Sequence, residues 1–416
     1  MNILLINHYA GSPSLGMVFR PYYLSREWVK QGHFVTIVGG TFSHLREMQP
    51  VVEKDFTIEV IADGINYVWL KTPVYFGSGL KRFMSMLVFV FKLFRYGKRL
   101  IKLSSPDIVI SSSTYTIDIY PAYRIAKKAN AGLCFEIRDL WPLSPMLIGG
   151  FSKWHPVIML MQAGENYACK KSDVIVSVLD NAKAYLMEHG MAAEKFHCIP
   201  NGFVMSEYVD RDDLYEKYDM FIGKLKRQNK LIVGYAGGIK PSNAMHVLVD
   251  AAKKLISNKD IAFVFVGKGD ESDRLNKIIK DNNLDNVFIL KPINKKAVLS
   301  FLEKTDILYI GGIKSELHKH GISPNKLIDY MLSAKPVIQS ANVDENNIVT
   351  RLSFGITVPA EDSEAVKDAV LKLATMSEEE RKVMGERGRK YALDNLNYEN
   401  LAQRYLELFS NLRNKF

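Results

Sequence analysis

Apolar residues along this chain follow two rhythms. Compact runs such as Ile3-Leu4-Leu5-Ile6 read as buried strands, and longer stretches with an apolar residue every three or four positions read as amphipathic helices. In the first half the strand runs fall at 3–7, 34–39, 107–111, 133–137, 173–178 and 196–199, with helical stretches such as 21–31 and 117–129 between them. In the second half they fall at 231–235, 261–266, 287–290, 306–310 and 336–339. Helical patterns follow at 244–256, 270–280 and 324–332, and two long helices, 378–394 and 398–414, close the chain.

Strand–helix alternation of this kind predicts an α/β protein whose parallel sheets are covered by helices. The doubly wound pattern starts twice. A turn at Ile199-Pro200-Asn201-Gly202 ends the first round, and the charged stretch 208–230 precedes the second. The expected layout is two Rossmann-like doubly wound domains, 1–203 and 204–395, facing across a cleft, with a terminal helix over 396–416 packing back on the first domain. At 416 residues the chain is also too long for one ordinary core. Ligands of open α/β sheets sit at the carboxyl ends of the strands, so such a chain offers two binding edges.

Charge changes this picture more than composition does. Hydrophobic residues at 47% and charged ones at 24% leave no room for a long disordered region. Three scattered cysteines, Cys134, Cys169 and Cys198, point to a reducing, cytoplasmic setting rather than a disulfide scaffold. The opening MNILLINHYAG lacks the basic flank and length of a signal peptide and reads as a first strand. The net charge is +10, and seven cations fall within 79–103, which holds no acid: Lys81, Arg82, Lys92, Arg95, Lys98, Arg99 and Lys102.

No recognisable nucleic-acid module accompanies those cations, so nucleic acid is not an expected partner. The apolar run 83–91 is broken by Ser85 and ends at Lys92, far short of the roughly 20 residues that a membrane span needs. On a helical wheel Lys81, Lys92, Arg95, Arg99 and Lys102 share one sector, while Met84, Leu87, Val88 and Val90 face away. The segment is expected to lie on an anionic membrane surface, peripheral at the inner face of the cytoplasmic membrane. A core helix with a solvated basic face is the alternative.

The richest constellation is His320-Gly321-Ile322-Ser323-Pro324-Asn325-Lys326-Leu327-Ile328-Asp329-Tyr330. Ser323 suits an N-cap and Pro324 a first helical position, which aims free backbone N–H groups at an anion such as a diphosphate. Lys326 opposes the helix dipole and so wants an anionic partner. Asp329 lies one turn on, where a carboxylate can accept both hydroxyls of a ribose. An ordinary helix start with a surface Lys326–Asp329 pair is the competing explanation. Gly237 and Gly238, followed by Lys240, and then Gly267-Lys268-Gly269, place glycine turns after two predicted strands, where backbone can approach a phosphate.

In the first half, Gly11-Ser12-Pro13-Ser14-Leu15-Gly16 follows a strand but lacks dinucleotide-fingerprint spacing. Glu136-Ile137-Arg138-Asp139-Leu140-Trp141-Pro142 puts three charges at a strand's carboxyl end; they read as ligand-facing, or as an ion pair of Arg138 with a carboxylate. His318 and His320 are expected to face solvent, no metal site is expected, and Asp210-Arg211-Asp212 reads as a chance acid pair.

These residues resemble a known family. Ser323 through Met331, Arg138 through Pro142, Ile199 through Gly202 and the Gly16-Met17…Arg20 start are similar to those of retaining GT-B glycosyltransferases. The branch resembled is the amino-sugar transferases of bacterial surface-polysaccharide (O-antigen or capsule) clusters. The resemblance implies the GT-B fold, a UDP-sugar donor carrying an N-acetylated hexosamine or deoxy-hexosamine, retention, and no metal or separate cofactor. It implies a lipid diphosphate-linked saccharide as acceptor. It assigns the ribose carboxylate to Asp329, backbone contacts to Ile322 and Ser323, a glycine loop to Gly16, and a place beside the diphosphate to Gly237.

Two departures stand out. Gly321 occupies the position of a sugar-binding glutamate, and Gly238 and Asn243 replace an arginine and a lysine. Lys326, with Lys240, is left to neutralise the diphosphate. Gly267, Gly321 and Asn325 complete the expected donor pocket, Lys326 is the expected catalytic cation, and Asp139 is expected to orient the acceptor. Two rivals differ in kind. An epimerase on the same fold converts donor without acceptor. A nucleotide-sugar-binding protein binds without turnover.

Overall fold

The computed structural model describes residues 1–16, 19–77, 79–344 and 347–413. It separates into two compact units, Met1–Gly202 with Tyr398–Phe416, and Phe203–Asn397.

The first unit is built on eight strands: β1 (Asn2–Ile6), β2 (Phe34–Gly40), β3 (Phe56–Ile61), β4 (Ile65–Leu70), β5 (Ile108–Ser111), β6 (Gly132–Ile137), β7 (Val174–Ser177) and β8 (Phe196–Cys198). Their order is β3-β4-β2-β1-β5-β6-β7-β8, parallel throughout except for the β3–β4 hairpin. The apolar runs form these strands because helices cover them on both faces: β5, β6 and β7 are buried at every position. The hairpin was not expected. Its turn carries Asp63 and Gly64, both at positive φ, and its edge strand exposes Ile58 and Val60. An Asp-Gly pair between two apolar runs is the signal that finds it.

Glu136 does not face a ligand. Its carboxylate is buried and ion-paired with Arg20 at 3.0 Å, and it accepts from Ser112 and Tyr405. Arg20 opens the helix Arg20–Lys30, and its guanidinium also bonds the Ile199 carbonyl at 2.8 Å and that of Pro200. Only Arg138 and Asp139 of the charged run lie past the end of β6. The terminal helix Tyr398–Arg413 belongs to this unit: it supplies Tyr405, and its Ala402 carbonyl accepts from Trp28 Nε1 at 3.1 Å.

The second unit holds β9 (Leu231–Ala236), β10 (Ile261–Val266), β11 (Val287–Leu290), β12 (Ile307–Gly311), β13 (Val337–Ser340) and β14 (Gly355–Val358). All are parallel, in the order β11-β10-β9-β12-β13-β14. This is the doubly wound order with its first strand central, and the winding reverses between β9 and β12. β9 pairs with β10 along its whole length but with β12 only at Val233 and Gly234. The two strands therefore part before their carboxyl ends. Tyr330 occupies the gap: its hydroxyl accepts from Ala236 N at 3.2 Å, satisfying a backbone donor that the open ladder leaves without a strand partner.

Candidate functional site

The reversal between β9 and β12 collects the second unit's predicted residues. The helix that follows begins one residue later than expected. Pro324 is still extended (φ −73°, ψ 126°) and serves as N-cap, so Asn325 opens the helix Asn325–Leu332, and Ser323 lies before the cap. Gly321, at φ +96°, turns the chain into this approach.

Lys326 is the second helical residue, and it turns back over β9. Its ammonium donates to Asn243 Oδ1 at 2.8 Å and to the Tyr235 hydroxyl at 3.1 Å, and it lies 4.9 Å from the centre of the Tyr235 ring. Tyr235 Oη and Asn243 Nδ2 both donate to the Gly238 carbonyl at 2.7 Å, so each neutral partner is itself fixed. Burial pushes the Lys326 amine down to about 8, and no carboxylate offsets it.

Glycines are required around this cation. Gly237 sits at φ +151°, and a Cβ there would lie 3.1 Å from the Tyr235 hydroxyl and 3.6 Å from Lys326 Nζ. A Cβ on Gly267 would meet the Gly237 carbonyl oxygen at 1.9 Å, because the two glycine loops run against each other. Gly237 N bonds Val266 O and Ile239 N bonds Lys268 O, both at 3.0 Å. Lys326, Gly237, Gly238, Gly267 and Asn243 thus form one group, with the exposed Lys240 stem beside Gly238.

Asp329 follows one turn after Lys326, half-buried; burial pushes its carboxyl up to about 6, Lys295 pulls it down and Glu207 pushes it further up. Gly321, Ile322 and Ser323 form the approach to the helix, and the Asn325 side chain is exposed. Sequence reasoning overlooked the part played by Asn243. It registers as a missing lysine, whereas in the fold it grips Lys326.

His318 differs from expectation. The 3-10 turn Glu316–His320 folds its ring against Gly312, its Nδ1 is buried without a hydrogen-bond partner, and burial lowers its pKa. Asp210 and Arg211 are tied in surface ion pairs to Lys296 and Glu303. Among the described residues no group of three His, Cys, Asp or Glu side chains is placed to hold a metal ion.

The remaining predicted residues lie in the first unit. Gly16, at φ +70°, packs on Glu47, and Met17 of the same motif falls outside the described residues. Asp139 is half-buried past β6; burial raises its pKa, and it accepts from Trp141 Nε1 at 3.3 Å.

A half-buried cation without a counter-charge among the described residues, glycine backbone and a helix start make an anion-binding end, and a carboxylate one turn along suits a diol. Comparison with known proteins agrees in kind. Residues 16–207 match the family model described as Glycosyltransferase Family 4, and residues 217–391 match that of Glycosyl transferases group 1. An uncharacterised glycosyltransferase of Methanocaldococcus jannaschii is 21% identical over 59% of this chain, and the match spans 60% of that relative. Sucrose-phosphate synthase from Thermosynechococcus elongatus superposes with a TM-score of 0.70 at 16% identity, covering 100% of this chain and 99% of that one. Anabaena HepE, solved with UDP and glucose, gives 0.64 at 16%, covering 99% of each chain. These structures share the fold.

Proposed function

We propose that this chain, whose residues 217–391 match the group 1 glycosyl transferases and which has the two-domain GT-B fold, transfers a sugar from a UDP-sugar donor, with retention and without a metal ion. The observation that carries this reading is Lys326, held by Asn243 and Tyr235 beside Gly237 with no carboxylate partner. A diphosphate gains charge as it leaves the sugar, and a fixed, partly desolvated cation stabilises that charge more than the ground state. Asp329 holds the ribose. A donor phosphate oxygen takes the acceptor proton on the face from which the diphosphate departs, which gives retention without a carboxylate nucleophile. Binding of UDP by the similarly folded Anabaena protein supports the choice of donor. The sugar is an N-acetylated hexosamine or deoxy-hexosamine, and the acceptor is a lipid diphosphate-linked saccharide of surface-polysaccharide assembly, oriented by Asp139.

A panel of UDP- and GDP-sugars, read by nucleotide release with membrane extract as acceptor source, tests this. Turnover is expected with a UDP-sugar and is expected to survive excess chelator. Loss of activity restored by magnesium or manganese would overturn the metal-free mechanism, and conversion of donor without acceptor would identify an epimerase.

The membrane part of the reading rests on the helix Leu80–Ser104, and the structure redraws the face involved. Lys92 is tied to Asp55 at 2.9 Å and to the Lys71 carbonyl, and Arg99 stacks 4.0 Å from the centre of the Phe56 ring. Both are held by the β3–β4 hairpin because they flank the buried seam Met86, Phe89, Leu93, Gly97 and Leu100. Leu87, Val88 and Val90 are half-buried rather than outward. The outward face carries Leu80, Met84, Phe91 and Phe94, then Arg95, Lys98 and Lys102. No helix among the described residues is long and apolar enough to cross a membrane. An apolar front with a basic rear suits an anionic bilayer surface. Reversal of Arg95, Lys98 and Lys102 to glutamate is expected to abolish sedimentation with anionic vesicles and to spare activity on a short soluble acceptor. Unchanged vesicle binding would make the helix purely structural.

A further inference from the structure

The first unit has its own winding reversal, between β1 and β5, and the side chains there form a cluster that the donor chemistry does not use. His8 and Tyr9 follow β1, and His8 Nδ1 is 2.8 Å from the hydroxyl of Tyr115, which follows β5. His8 is fully buried and stacked between Tyr9 and Phe89, with ring centroids 4.6 and 4.5 Å away. Tyr9 is buried at 2% exposure, and its hydroxyl sits within reach of two other side chains. Beside that hydroxyl are the Tyr75 phenol and the guanidinium of Arg82, from the first turn of the helix Leu80–Ser104. Arg82 lies 5.8 Å from the centre of the Tyr9 ring and 5.7 Å from that of Trp141, and its Nε is buried without a partner.

The charge at the Tyr9–Arg82 end of this group has one sign, the buried Asp118 carboxyl acting on Tyr115 at the other end. Burial and then Arg46, Arg82 and His44 hold His8 in its neutral form, and burial and Arg82 lower the pKa of His44. No carboxylate contributes at His8, Tyr9, His44 or Tyr75. Arg46 is already spent on the carbonyls of Gly40 and His8 and lies over Trp69. Arg82 has no ion pair among the described residues. A half-buried guanidinium over two rings, next to a buried phenol and with no ion-pair partner among the described residues, lacks an anion.

We propose that Arg82 and the Tyr9 hydroxyl form a phosphoryl-binding subsite that holds the diphosphate of the acceptor, with Trp141 flanking the attached sugar. Arg82 supplies the charge and a planar set of donors, and the Tyr9 hydroxyl beside it supplies a further donor. Trp141 also donates to Asp139, so the same indole links this subsite to the carboxylate proposed to orient the acceptor. The acceptor role rests on the transfer reading above; the anion preference does not.

Titration calorimetry on the full-length protein in saturating UDP tests it, with three probes: an alkyl hexosyl diphosphate, the matching uncharged alkyl hexoside, and inorganic pyrophosphate. Wild type is expected to prefer the diphosphate over the uncharged hexoside. Arg82→Gln is expected to reduce that preference by roughly 10- to 100-fold, the usual weight of hydrogen bonds to a charged group, and Tyr9→Phe by a smaller factor. Pyrophosphate binding as tight as that of the hexosyl diphosphate would make the subsite a free-phosphate site and overturn the acceptor assignment. Equal weakening of charged and uncharged probes, or no change in Arg82→Gln, overturns the subsite. UDP affinity reports folding; if Arg82→Gln fails to fold, Tyr9→Phe, which loses one oxygen, decides. Arg82-dependent binding of the diphosphate probe, with no sugar transferred to it when the panel of UDP- and GDP-sugars replaces UDP, would sink the transfer reading and leave the subsite standing.

Discussion

Lys326→Ala is expected to lower kcat/KM for the sugar donor by about a hundred- to a thousandfold, with the fold unchanged. Removal of one aimed electrostatic group costs about 2.7–4 kcal/mol of transition-state stabilisation. The fold is spared because the ammonium is half-buried without a carboxylate, bonded only to the neutral Asn243 and Tyr235. Asp329→Ala is expected to act differently, raising KM more than it lowers kcat, since ribose hydroxyls are held alike before and during reaction. The two groups also set a pH profile. Lys326 at about 8 loses the needed charge as pH rises, and Asp329 at about 6 loses its own as pH falls. kcat/KM, which reports the free enzyme, is therefore expected to be greatest between them. The alkaline limb should vanish in Lys326→Ala. Turnover within threefold of wild type in that variant would move the catalytic cation elsewhere.

Much of the second domain can be read from sequence, because its strands are buried on both faces. A run such as Ile261–Val266 has no other explanation once helical patterns flank it. β14 escapes because Gly355-Ile356-Thr357-Val358 lacks the unbroken apolar run that marks the equally short and partly buried β11, Val287-Phe288-Ile289-Leu290. The pocket is legible as a composition of turns, Gly237 and Gly267 before Lys326, but not as a geometry. That Lys326 reaches Asn243 depends on β9 and β12 parting after Gly234, and sheet register has no trace in either segment alone.

The first domain is less legible where charge is concerned. Seven cations in one segment suggest a single basic face, yet Lys92 and Arg99 are claimed by Asp55 and Phe56 of a hairpin that sequence alone did not reveal. The Arg82 cluster likewise gathers side chains that follow β1, β2, β4 and β6, so no spacing rule could have grouped them. Charged residues after a strand suggest a ligand edge, but Glu136 is within β6 and turned inward. Burial, which sequence does not give directly, separates the two cases.

That buried carboxylate carries the second large effect. Glu136→Gln is expected to destabilise the first domain by about 3–5 kcal/mol, because it leaves the Arg20 guanidinium buried without its counter-charge. Arg20 joins the start of its helix to β6, to the Ile199 and Pro200 carbonyls and, at 3.1 Å, to the Tyr405 hydroxyl, so one substitution loosens four segments at once. Tyr405→Phe should cost less, about 1.5–3 kcal/mol, the weight of a hydrogen bond to a charged group. The pH dependence has a definite sign. Burial pushes the Glu136 carboxyl up, but Arg20, Arg138 and the hydroxyls of Ser112 and Tyr405 outweigh it and hold its pKa below the usual value. A depressed carboxylate contributes stability that is present above its unfolded pKa and is lost as pH falls through the folded one. Urea unfolding should resolve two transitions, one for each domain, with only that of the first domain displaced in Glu136→Gln. Its loss of stability on acidification should also be shallower than in wild type. An Arg20→Met, Glu136→Leu double variant should recover part of the loss, since it removes both members of the buried Arg20–Glu136 pair together. Equal displacement of both transitions, or none, would remove this pair from its structural role.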